Sequence, residues 1–266
     1  MEFSLPKFDS EKELLDYIVS NKEDIVYAKK QCFKKADGFA AFVSPVTMKV
    51  GANKNQEEDL LSKDSIDVVA VINTTNVLDS HKDVHINGLW DKSLSENKRL
   101  KHLKEHQMSF DSIISDKEDL KAYTKEYSWK ELGYDAEGKT QALVFESKVR
   151  KERNQFMFKQ YAKGNVDNHS VGMRYVKIVT CVNDEDYPEE KEQWDKYAPL
   201  VVNKADLERT KYFWAVTEAK AIEGSAVPMG SNFITPTQSV KSIEVVANEV
   251  TKDIEAEAIK NWLLGE

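Results

Sequence analysis

At 266 residues the chain is long enough to bury a full hydrophobic core, and its net charge of −8 argues against nucleic acid or an anionic membrane as partner. Cys32 and Cys181 stand far apart and form neither a CxxC pair nor a disulfide framework, which points to a reducing compartment. Residues 1–6 hold no basic stretch followed by a long apolar run, and nowhere do eighteen apolar residues follow one another, so a soluble, non-secreted protein is expected.

In chain order, Ser10 and Glu13 form a capping box ahead of Leu14, Ile18 and Val19, which predicts a helix over 11–20. A second helix is expected over 22–34, with Ile25, Ala28 and Cys32 as its apolar stripe and Asp37-Gly38 as its stop. Pro45, Gly51 and a polar run mark 44–65 as a linker, so residues 1–65 read as a helical N-terminal extension. The body starts at Ile66 with a valine-rich strand to Asn73. Asp79 to Asp83 and Asn87-Gly88 bracket a loop, a short helix follows over 89–96, and Arg99 to His106 forms a further element. Lys121 to Leu132 and Thr140 to Val149 flank the turn Asp135-Ala136-Glu137-Gly138, which makes the middle of the body antiparallel.

Asn154 to Lys163 reads as a helix with Phe156, Gln160 and Tyr161 at helical spacing, and Gly164 is suited to its left-handed stop. A long strand follows from Ser170 to Val182, with Val171, Met173, Tyr175 and Val179 on one face and Ser170, Gly172 and Arg174 on the other. The acidic segment 183–211, with a helix near Glu189 to Lys196, reads as a surface insertion. Tyr212 to Val227 is a second long strand carrying Phe213, Ala215, Thr217, Ala219, Ala221, Glu223 and Ser225 on one face. Val250, Ile254, Ala258 and Trp262 recur every fourth residue and predict a C-terminal amphipathic helix within 241–266. The expected organisation is one body, 66–240, with helical extensions at both ends.

The chemistry centres on Ser170, where a turn becomes a strand. A serine hydroxyl is a weak nucleophile and needs a base within hydrogen-bond reach, oriented by a third group. Gly172, two residues along the same face, leaves room for a substrate backbone. His169 adjoins Ser170 but points to the opposite face of a strand that starts there, which makes it a poor base. His81, His85, His102 and His106 lie upstream, and His106, at the end of an element, can reach across a cleft. Glu223 sits in a small apolar strand, where a carboxylate has to be paired or lie at a solvated edge; orienting a histidine would pair it. A competing pattern is His102-Leu103-Lys104-Glu105-His106, an H-x-x-E-H arrangement that on a helix would place two zinc ligands one turn apart, with His81 and His85 at the same spacing. The nucleophile elbow G-x-S-x-G is incomplete, since Asn168 replaces its first glycine, and no alternation of parallel strands and helices supports an α/β-hydrolase.

Taken together, the loop Asp79 to Gly88, then His106, then Asn168-His169-Ser170-Val171-Gly172, then Glu223-Gly-Ser225-Ala-Val227 with Ser231-Asn232 resemble the tailed-phage prohead serine proteases in order and spacing. The resemblance covers about residues 67–237. It implies a mainly β, α+β fold related to herpesvirus assemblin, an antiparallel closed or nearly closed barrel with peripheral helices. It also implies cleavage of a major capsid or scaffold protein, and of the protease itself, inside an immature head in the host cytoplasm. By position Ser170 is the nucleophile, His106 the general base and Glu223 the third member. Val171, Gly172 and Arg174 fall in the substrate and oxyanion region. No metal or other cofactor and no nucleic acid or membrane partner is expected, and self-association is. A zinc peptidase using His102 and His106, and a non-catalytic capsid scaffold using its charged terminal helices, are the competing expectations.

Overall fold

The structure is a computed structural model and describes residues 5–32, 54–97 and 99–242. The expected Asp37-Gly38 stop, residues 44–53 of the expected linker and the C-terminal helix carrying Val250 to Trp262 lie outside the described residues, and residues 54–62 of that linker form a helix instead.

Ser10 caps α1 (Glu11–Ser20) by accepting from the Glu13 N–H at 3.2 Å, and α2 (Lys22–Gln31) follows after a single residue. α3 (Lys54–Ser62) leads into β1 (Ser65–Thr74), β2 (Asp83–His85), α4 (Asp91–Glu96), β3 (Lys101–Lys104) and β4 (Ile113–Asp116). β5 (Leu120–Ser128) and β6 (Lys139–Arg150) form the expected antiparallel pair. α5 (Gln155–Ala162) is capped by Asn154 and ended by left-handed Gly164 at φ 68°, as its sequence requires. The long strand β7 (His169–Val182) is followed by α6 (Pro188–Tyr197), α7 (Lys204–Thr210), a second long strand β8 (Tyr212–Ala226) and β9 (Thr237–Ser242).

These strands make two sheets, one in the order β5-β6-β1-β9 and one built on β8, which pairs with β2, β3 and β7, with β4 beyond β3. Neither sheet closes into a barrel, and with about 37% strand against 32% helix the protein is mixed rather than mainly β. Antiparallel pairing is not universal either, because β2 and β3 both run parallel to β8. Ile66, Val68, Ala70 and Ile72 of β1 share one apolar core with Phe145 of β6, Val171 and Met173 of β7, and Val216 and Ala221 of β8. At Gly224 the two sheets press together so closely that a Cβ would lie 2.6 Å from the Phe145 ring and 2.8 Å from the Ile72 methyl. The neighbours Glu223 and Ser225 therefore turn to the opposite face.

The N-terminal helices belong to this core and are not a separate extension, since Leu15, Ile18 and Ile25 are buried in it. The buried face of α2 is Ile25 with Lys29, whereas Ala28 and Cys32 are only half-buried. Lys29 is 1% exposed, its ammonium 2.7 Å from the wholly buried Asp83 carboxylate and 3.9 Å from the centre of the Trp214 ring. Tyr175 donates its hydroxyl proton to the other Asp83 oxygen at 2.5 Å. The segment 183–211 is likewise more than a surface insertion. Trp194, Tyr197, Ala198, Val201 and Leu207 form a second cluster against Phe213, Ala215 and Cys181. On β7, register shifts between Tyr175 and Ile178 change the phase of alternation, so Ile178 and not Val179 enters the main core.

Breaking a buried ion pair from one side leaves an uncompensated charge, and Lys29→Met is expected to cost about 3–5 kcal/mol in urea unfolding. Adding Asp83→Asn to that variant is expected to restore part of the loss; a single variant within about 0.5 kcal/mol of wild type would contradict this role for the pair.

Candidate active site

β8 places Glu223 and Ser225 on one face, two residues apart. On its antiparallel side Ser170 lies opposite Ser225 and Gly172 opposite Glu223, so the four share a face of the β7–β8 ribbon. On its parallel side Leu103 lies opposite Ser225 and Lys104 opposite Ala226. The chain then turns sharply through Glu105 and His106, both left-handed at φ 52° and 55°, and brings the His106 ring over that same face. His106 Nδ1 lies 2.5 Å from Glu223 Oε1. The Ser225 hydroxyl donates to Glu223 Oε2 at 2.6 Å and accepts from the His106 backbone N–H at 3.0 Å. Glu223 and Ser225 are wholly buried, while His106 and Ser170 retain 4% and 6% exposure.

A carboxylate can only accept, so the contact with Glu223 places the His106 proton on Nδ1 and makes Nε2 the basic nitrogen. Of the alternatives left open for Glu223, pairing with a histidine is realised and a solvated strand edge is not. The structure thus brings together Ser170, Gly172, His106 and Glu223. Val171 faces the apolar core. Arg174 is not gathered with them. β8 carries an extra residue, Ile222, at the register shift past Gly172, and the exposed Arg174 beyond it pairs with Lys220.

Three other histidines, His85, His102 and His169, are buried away from this face. His169 points into the core as expected, and joins His102 in a fully buried chain of hydrogen bonds through Tyr161, whose hydroxyl is 3.0 Å from Nε2 of each ring. The Thr235 carbonyl, 2.9 Å from His169 Nδ1, can only accept. That forces the proton of neutral His169 onto Nδ1, so Tyr161 donates to His169 Nε2 and accepts from His102 Nε2–H. His102 Nδ1 then accepts from Ser147 at 2.8 Å. Burial holds His102 well below the ordinary histidine range and lowers His169 to about 4. His85 is buried with Nδ1 2.8 Å from the Asn73 side chain.

This arrangement removes the zinc reading of His102 and His106. Their segment is a strand followed by a left-handed turn instead of a helix, and the two rings serve different partners on opposite faces of the sheet. Among the described residues, the group that gathers three possible ligand atoms within 4.8 Å is Asp79, His81 and Asp83, of which Asp83 is the partner of Lys29.

Ser225 entered the sequence reading as a motif residue with no contacts assigned, and the structure bonds it to both Glu223 and His106. Its alternation with Glu223 was visible, but the hydroxyl's role depends on where the chain after β3 returns. Comparison with protein-family models, with curated proteins and with solved structures returns no match to this chain.

The buried His102–Tyr161–His169 chain makes the fold acid-sensitive. His169 has a folded value of about 4 against an ordinary 6.5, so between those values the unfolded chain binds a proton that the folded chain refuses. The stability due to the neutral ring is whole above pH 6.5 and falls away as the pH drops toward 4, a loss on the order of 3 kcal/mol. Thermal midpoints measured across that range are expected to fall with pH, and to fall less steeply in a folded His169→Gln variant; equal slopes would contradict the assignment.

Proposed function

We propose that this chain is a serine endopeptidase of the prohead-maturation type. Ser170 is the nucleophile, His106 the general base and Glu223 the group that orients it. The observation that carries this reading is the buried 2.5 Å contact between His106 Nδ1 and Glu223 Oε1, on the strand face that Ser170 shares. A buried carboxylate locked to one imidazole nitrogen, beside a serine, is the constellation that hydroxyl activation requires.

His106 Nε2 takes the Ser170 proton as the hydroxyl oxygen attacks a peptide carbonyl. Glu223 stabilises the imidazolium, which then protonates the departing amine and leaves an acyl-enzyme for water to hydrolyse. Val227 N–H donates to the Asn168 carbonyl at 3.1 Å, which sets the alternation of the ladder. The peptide groups of Asn168, Ser170 and Gly172 thus turn toward β8, and those of His169 and Val171 turn away. Thr235 takes both groups of His169. Val171 N–H is therefore our choice for an oxyanion donor, a contribution of about 2.7–4 kcal/mol where such donors have been removed.

The substrate class proposed is a major capsid or scaffold protein, with self-cleavage, self-association and an immature head as the setting; these rest on the resemblance of the four motifs. Kinship with assemblin is proposed from the motifs alone, since neither sheet closes into a barrel.

Co-expressed with the capsid or scaffold protein encoded beside it, wild type is expected to cleave its partner with or without a chelator, and Ser170→Ala to leave it intact. Glu223→Gln is expected to lower the rate by about 10²- to 10⁴-fold. Cleavage abolished by chelation alone would sink the serine mechanism, and no cleavage in any sample would favour a scaffold. Gly172→Val, which puts a branched side chain opposite Glu223, is expected to block substrate while preserving the circular dichroism spectrum; unchanged cleavage would contradict the substrate role of that glycine.

A further inference from the structure

We infer that Ser225 is a positioning residue of the reaction, a fourth member of the site that holds both the base and the carboxylate in register. This rests on the serine-peptidase reading above and adds to it a residue with no place in the three-membered scheme.

The parallel ladder between β3 and β8 ends at Glu105, whose N–H donates to the Ala226 carbonyl at 2.9 Å. The next N–H along the chain, that of His106, leaves the ladder and is captured by the Ser225 hydroxyl oxygen at 3.0 Å. At this point the backbone enters its left-handed turn, a conformation that L-residues other than glycine adopt at a cost and that here needs an anchor. Ser225 supplies that anchor, and the turn directs the imidazole toward Glu223.

The same hydroxyl has one proton, and it goes to Glu223 Oε2 at 2.6 Å. Each carboxylate oxygen therefore has its own donor, Oε1 the ring of His106 and Oε2 Ser225. A carboxylate held at both oxygens cannot rotate about its last torsion, which keeps the His106 ring plane and its Nε2 direction constant through proton transfer. A serine that only satisfied its own buried hydroxyl could use any nearby carbonyl. This one joins the acid to the backbone of the base. Nor is Ser225 a rival nucleophile: it is wholly buried, and its proton is committed to Glu223, whereas Ser170 across the ladder retains exposure.

The test uses the full chain and a fluorophosphonate probe, with the second-order rate of Ser170 labelling followed from pH 5 to 9. Ser225→Ala and Ser225→Cys are compared with wild type, and folding is checked by thermal midpoint and near-ultraviolet circular dichroism. The cysteine variant fills the space with a weaker donor and serves if alanine does not fold. The plateau rate is expected to fall by about 10- to 100-fold in Ser225→Ala and by less in Ser225→Cys. Removing the donor to Oε2 concentrates charge on the carboxylate and strengthens its hold on the imidazolium, so the acidic limb is expected to move up by roughly half a pH unit. A folded variant that labels at the wild-type rate with an unmoved acidic limb overturns the inference and leaves the peptidase reading standing. Wild type that fails to label at Ser170 overturns the peptidase reading, and the role of Ser225 with it.

Discussion

The negative charge of Glu223 is the constraint on which the site depends. A carboxylate with no solvent exposure is tolerated only when charge-assisted hydrogen bonds replace its water, and here both oxygens are met, one by His106 and one by Ser225. The left-handed turn at Glu105 and His106 and the early end of β3 serve that one requirement. His106 is held in place because the buried carboxylate has to be satisfied.

β8 carries this arrangement. One side receives β7 antiparallel, bringing Ser170 opposite Ser225, and the other receives β3 parallel, bringing the His106 turn to the same place. A buried ion pair lies toward the other end of the strand, where Asp83 of β2 pairs in register with Trp214 and meets Lys29 from α2. The two pairs differ in consequence. Lys29 and Asp83 tie α2 to the core and neutralise each other, while Glu223 fixes the orientation of the His106 ring through Nδ1. Next to Glu223, Gly224 lets the strand sit close against Phe145 and Ile72.

Local pattern was a good guide to elements and a poor one to packing. The cap at Ser10, the glycine stop at 164, the β5–β6 hairpin and the two long strands follow from short-range chemistry and were legible. The depth of α2 was not, because its innermost residue is a lysine and apolar periodicity cannot register a charge that finds a buried partner 54 positions away. The open sheets, the parallel pairings of β2 and β3 and the core under 183–211 were equally hidden, since each depends on which distant segments meet. His102 and His106 read as zinc ligands only if a helix is assumed; a strand and a left-handed turn send their rings to opposite faces.

By itself the sequence determined the strand alternation that sets Ser170 with Gly172 and Glu223 with Ser225, and the opposed direction of His169, because a period of two is a property of the extended backbone. Tertiary structure decided which histidine meets Glu223. That choice required β3 to run beside β8 and to break at Lys104, a long-range pairing for which no local pattern carries a signal. It also gave Ser225 its two partners, since the His106 N–H and the Glu223 carboxylate converge on its hydroxyl only when β3 returns beside β8.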